Sequence, residues 1–174
     1  MCIRDSLTGE VEALSTVDIN NTGFANGGNA GNWTLRLSGA ANQTINSTVD
    51  LCQGALSKLV IDKTGGTVTM VGNVTVQRSI QMLQGTVDAT GADLVLYGST
   101  NSRYDNTRDV YLEGSLAVGN LHVWPYEHFN RGIEMAAGTE YTVNGTLTTY
   151  GNRLITWKNG TYHLRGMCCT KTAI

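Results

Sequence analysis

The chain has 174 residues, a formal net charge of −2, only 15% charged residues, 21 glycines and a single proline. That balance leaves no basic patch for nucleic acid, and no apolar run approaches membrane-spanning length. Abundant Val, Thr, Asn and Gly with little charge is a strand-and-turn composition, and the length suffices for one elongated domain with a substantial core.

MCIRDS, Met1 to Ser6, reads as the in-frame translation of a transposon-end sequencing adapter. Residues 1–6 are therefore expected to be an adapter-derived scar, so that any signal peptide would lie upstream of what is read. From Leu7 to Ala30, Val11, Ala13, Leu14, Val17 and Ile19 lead into a Gly/Asn-rich stretch, a ragged first coil with a loop. Trp33 to Leu37 is a strand, Ser38 to Asn42 a turn, and Gln43 to Ile45 the next strand.

From Leu56 to Tyr97 one phrase repeats: a few alternating apolar residues, then a Gly, Asn or Asp turn. Leu59-Val60-Ile61, Val68-Thr69-Met70, Val74-Thr75-Val76, Ile80 to Leu83, Thr86-Val87 and Leu94-Val95-Leu96 recur roughly every six to nine residues, too short for helices and too regular for loops. Alternation turns one side of each strand inward, and a single coil buries that side only when another coil stacks on it. Matching Leu59 with Ile80, Val68 with Val87 and Val74 with Leu94 gives about 20 residues per coil and three short strands per coil. β-Branched side chains suit such stacks, and Gly65-Gly66, Gly72-Asn73, Gly85 and Gly91 fall at the corners. The expected fold is all-β, a parallel β-helix or β-solenoid spanning residues 7–166; the alternative is an antiparallel β-sandwich.

Two stretches interrupt the repeat, 98–109 and 120–137, and Tyr141 to Leu164 resumes it. Residues 167–174 match no rung and are expected to form an irregular, truncated tail. Insertions project from a solenoid, so the binding candidates lie there. The first holds Arg103, Tyr104, Asp105, Arg108 and Asp109; the second packs Trp124, Tyr126, Phe129, His122, His128 and Glu127 around Pro125. Aromatic faces beside polar groups suit a sugar ring, which makes Tyr104, Trp124, Tyr126 and His128 the candidate ligand-binding residues. The competing reading is that Trp124, Tyr126 and Phe129 cap the coil beneath them.

The repeat from Ala41 to Gly98, ANQTINSTVDLCQGALSKLVIDKTGGTVTMVGNVTVQRSIQMLQGTVDATGADLVLYG, resembles those of large secreted bacterial surface proteins, notably from the Bacteroidetes group. AGTEYTVNGTLTTYGN, from Ala137 to Asn152, is similar to a rung found in the same adhesin-like proteins. The resemblance implies a parallel β-helix, an extracellular or cell-surface location, and a longer parent chain with further coils. It further implies an adhesin-like structural or attachment role, with surface or extracellular polysaccharide as the partner.

The alternative function is a polysaccharide lyase or hydrolase, or a tailspike-like β-helix enzyme, which would need acids gathered on one face. Asp62, Asp88, Asp93, Asp105, Asp109 and Glu113 are scattered along the chain, so no catalytic residue is assigned. The discriminating set is Arg103, Asp105, Asp109, His122, Glu127 and His128, which should share a face in an enzyme. The cysteines lack zinc-site spacing, and Cys52 reads as a buried free thiol; neither metal nor cofactor is expected. Asn20, Asn32, Asn42, Asn46, Asn73, Asn144 and Asn159 head N-x-[ST] sequences, for which turn or stacked asparagine is the simpler explanation.

Overall fold

The computed structural model describes residues 8–20, 32–98, 110–124, 132–150, 157–166 and 168–171. In chain order, β1 (Thr8–Ala13) and β2 (Val17–Ile19) precede β3 (Asn32–Gly39) and β4 (Gln43–Ser47). β5 (Leu56–Leu96) is a 41-residue ribbon that bends round the coil. It is followed by β6 (Val110–Glu113), β7 (Leu116–Val123), β8 (Ile133–Met135), β9 (Glu140–Val143) and β10 (Leu147–Tyr150). β11 (Trp157–Lys158), β12 (Thr161–Leu164) and β13 (Cys168–Lys171) complete the order, and there is no helix among the described residues.

The strands stack as a parallel β-solenoid with three faces. On the first, β1 pairs with β3, β3 with the start of β5, a later part of β5 with β6, β6 with β8, and β8 with β11. On the second, β2 pairs with β4, β4 with β5, the start of β7 with β9, and β9 with β12. On the third, the end of β5 pairs with β7, β7 with β10, and β10 with β13. Every one of these ladders is parallel, which excludes the antiparallel sandwich. The physical reason is that each coil passes three corners, always turning the same way, before it returns to its starting face, so successive strands on a face run the same way.

Register aligns like with like along the core. Leu35 lies opposite Leu59, Leu37 opposite Ile61, Ile45 opposite Met70, and Val118 opposite Val143. Ile80, Leu112 and Met135 form one column, and Leu94 and Leu96 stack on Leu121 and Val123. These side chains are essentially fully buried. Each contributes about 1.5–3 kcal/mol by leaving water, which is how short strands of modest propensity hold together.

The coil length expected from the sequence is too short for most of the solenoid. Near Val76, whose carbonyl accepts from Tyr97 N, and in the last coil, where Thr161 lies opposite Glu140 and Cys168 opposite Leu147, the tight repeat holds. Elsewhere, side-chain partners on neighbouring coils are 22 residues apart for Asp62 and Gln84, 27 for Asp93 and Asn120, 28 for Asp18 and Asn46, and 32 for Gln81 and Glu113. Strand pairing fixes register but leaves corners free to lengthen, so periodicity in one coil does not set the next.

Two boundaries also change. Of the stretch 120–137 read as an insertion, Asn120–Val123 continues β7 and Ile133–Met135 is β8. Within 167–174, read as an irregular tail, Cys168–Lys171 is a strand in register with Leu147–Tyr150. Cys-Cys-Thr-Lys shows no apolar alternation; the template edge of β10 imposes the pairing.

Candidate functional site

The third face carries an aromatic ladder on its outer side. Its strands end in Leu94-Val95-Leu96-Tyr97, Leu121-His122-Val123-Trp124 and Leu147-Thr148-Thr149-Tyr150. Parallel register places the terminal rings one above another: Trp124 N donates to Leu96 O at 2.9 Å, just as Tyr97 N donates to Val76 O at 3.0 Å. The Tyr97 and Trp124 rings stack with centroids 6.5 Å apart, and Trp124 and Tyr150 at 4.1 Å with an interplanar angle of 23°. His122 adds to the edge of the ladder, its ring centroid 6.0 Å from that of Tyr150 and its Nδ1 3.2 Å from the Tyr150 hydroxyl.

Beneath the ladder lies a second small core outside the coil. Val95 alternates outward between the inward Leu94 and Leu96, yet it is fully buried. The cover comes from the turn after β4: Leu51, Cys52 and Ala55 pack with Val95, Tyr97 and Trp124. Burial pushes the Cys52 thiol up to about 12, and burial, then nearby Cys52 and Asp93, raise the Tyr150 phenol above its ordinary range. Cys52 is thus the buried free thiol the sequence suggests. A thiol held protonated is a poor nucleophile. Iodoacetamide at pH 8 should leave the Cys52 peptide unmodified in the folded protein and label it fully in urea; mass mapping of native Cys52 alkylation within minutes would show the turn to be open.

Of the sequence-derived binding candidates, Trp124 is half-buried in this ladder, with Tyr150 against its ring. Tyr104, Tyr126 and His128 lie outside the described residues, as do residues 1–6 and the interruption from 99 to 109. Of the residues that would converge in an enzyme, His122 is described; Arg103, Asp105, Asp109, Glu127 and His128 are not. Tyr97 and Tyr150 went unnoticed in sequence because each stands a full coil from Trp124. The signal is nevertheless present: an aromatic residue closes the third-face strand in successive coils.

Several of the described acids are tied into ladders between coils. Arg36 bridges Glu10 at 2.7 Å and Asp62 at 2.8 Å, and Asp62 also accepts from Gln84 at 2.7 Å. The Arg36 hydrogen bond holds the Glu10 carboxyl below the ordinary glutamate range. Glu113 accepts from Gln81, and Asp93 from Asn120, whose Oδ1 in turn accepts from Thr146 N. Asp88 instead serves its own turn, accepting from the Thr90 hydroxyl and amide, which lower its pKa. Three of the sequon asparagines serve the coil as well: Asn42 accepts from Thr67 N, Asn46 donates to Asp18, and Asn73 donates to Val49 O. No group of three or more His, Cys, Asp or Glu side chains able to hold a metal ion occurs among the described residues.

Compared with protein-family models, with curated proteins and with solved structures, the chain finds no match in any of the three.

Proposed function

We propose that the chain is a stiff scaffold segment of an extracellular or cell-surface, adhesin-like β-solenoid that holds ligand-contacting residues away from the surface it is attached to. The observation that carries this reading is where the outward polar groups direct their hydrogen bonds. Glu10, Arg36, Asp62 and Gln84, like Asp93, Asn120 and the Thr146 amide, connect coil to coil. Such a pattern stiffens a rod, the property a surface fibre needs, while weak contacts repeated along a long parent chain would supply affinity. The extracellular setting rests on the resemblance of Ala41 to Gly98 to secreted surface repeats.

The proposed partner is a surface or extracellular polysaccharide, met by Trp124 of the third face together with the sequence-derived candidates Tyr104, Tyr126 and His128. Beads coated with the chain should adhere to polysaccharide-coated glass, and Trp124→Ala combined with Tyr126→Ala should abolish adhesion while the strand circular dichroism stays unchanged. Equal adhesion by the double variant would remove the aromatic residues from the contact. Release of soluble sugar from the coating would replace attachment by the enzyme alternative.

A further inference from the structure

The turn after β4 is pinned at its two ends and lies between them on apolar contacts. It leaves the coil after Val49, whose carbonyl accepts from Asn73 Nδ2 at 2.8 Å, and rejoins it at Leu56, the first residue of β5. Within residues 50–55, Gln53 N donates to Asp50 O at 3.1 Å, closing the turn on itself, while Leu51, Cys52 and Ala55 rest on Val95, Tyr97 and Trp124 of later coils. Two features oppose this closed position. Cys52 has a φ of +67°, a left-handed conformation unfavourable for a residue with a side chain; Asn159 is the only other such residue besides glycines among the described residues. Beneath the turn, the bond from Tyr97 N to Val76 O sets Val95 beside Thr75 of the preceding coil. Thr75 points outward between Val74 and Val76, is fully buried, and its hydroxyl finds no hydrogen-bond partner among the described residues. A buried hydroxyl without a partner is costly, and exposure to water relieves it. Burial of Cys52, Val95 and Tyr97 holds the turn down against both.

We propose that residues 50–55 are a lid on the third face, opening locally while the coil beneath stays folded, and that the strip it uncovers receives the polysaccharide. Opening lays bare Thr75 and Val95, which continue the outward row of His122 and Thr148, and the Tyr97 ring beside Trp124. The uncovered strip then crosses successive coils along the solenoid axis, with hydroxyl and imidazole groups in one row and aromatic rings in the next. That pairing of polar and apolar contacts is what a sugar chain requires. The occupant rests on the attachment reading above; the lid itself does not.

Cys52 reports the opening. With excess N-ethylmaleimide, mass mapping of the Cys52 peptide should show labelling of the native chain over hours, not minutes, at a rate that barely changes across low urea, because local opening exposes little surface. Thr75→Val should slow labelling by about fivefold or more, since the closed turn then hides no unpaired hydroxyl. Val95→Ala should speed it by about tenfold, since closure then buries less apolar surface. A rate that climbs with urea as steeply as global unfolding overturns the lid, as does a rate unmoved by Thr75→Val. For the occupant, beads bearing the chain labelled at Cys52, whose added ring keeps the turn from closing, should adhere to polysaccharide-coated glass severalfold better than unlabelled beads, with the Cys52→Ser chain treated alike as control. Equal adhesion before and after labelling overturns the lid as a gate on this site. No adhesion by either form counts against the attachment reading, while the urea and Thr75→Val results still decide the lid.

Discussion

Replacing Lys63 with methionine is expected to destabilise the fold by about 2–4 kcal/mol, although the position lies within β5 just before Gly65-Gly66. Lys63 is 2% exposed, and its Nζ donates to Ser38 O at 3.1 Å, Ala41 O at 2.5 Å and Gln43 Oε1 at 2.6 Å, using all its donors. Gln43 passes the network on, donating to Ala13 O at 2.7 Å. One side chain thus binds two backbone carbonyls and a side-chain oxygen of the coil beneath it. Methionine fills the space and leaves those acceptors buried without donors, the costly outcome for buried polar groups. Urea unfolding followed by circular dichroism gives the number. Adding Gln43→Leu should cost less than the sum of the single effects, because both act on one network. A loss of under about 0.5 kcal/mol for Lys63→Met would mean that water, not Nζ, serves the corner.

A matched pair of glycines should separate backbone strain from close packing. Gly114 and Gly138 occupy the same corner between first and second faces in successive coils, with φ of +82° and +78°. A Cβ on Gly114 would meet the Cβ of Met82 and lie 2.6 Å from the Met82 carbonyl oxygen, whereas a Cβ on Gly138 meets nothing within 4 Å. Gly138→Ala should therefore show the left-handed penalty alone, about 1–2 kcal/mol, and Gly114→Ala about 3–5 kcal/mol once the collision with backbone is added. The same urea titration compares them. Equal losses would show that the corner shifts freely and that Met82 does not hold it.

Alternation made the architecture readable. Leu59-Val60-Ile61 and Val74-Thr75-Val76 state which residues face inward, and their spacing to Ile80 and Leu94 states that the same face recurs after one turn. A core built from side-chain periodicity is written locally, so a single stretch of sequence reveals it. Coil length elsewhere was not legible, because corners absorb extra residues without disturbing the strands they join. Nor were Asn120–Val123 and Cys168–Lys171 evident as strand, since each takes its conformation from the edge it stacks on.

Side-chain partnerships on the outer faces belong to the tertiary structure. Arg36 finds Glu10 and Asp62 from positions 26 residues away on either side, and nothing near it in the chain names them. Lys63 beside Gly65-Gly66 looks like a solvated corner; only the coil beneath, presenting two carbonyls and Gln43, turns it inward. Trp124 was singled out as a ligand platform from its aromatic neighbours in sequence, but its stacking partners are Tyr97 and Tyr150, one coil before and one after. The pattern of apolar residues fixes which way each side chain points. What it meets there depends on register between coils, a long-range quantity set by the sum of all contacts along the stack.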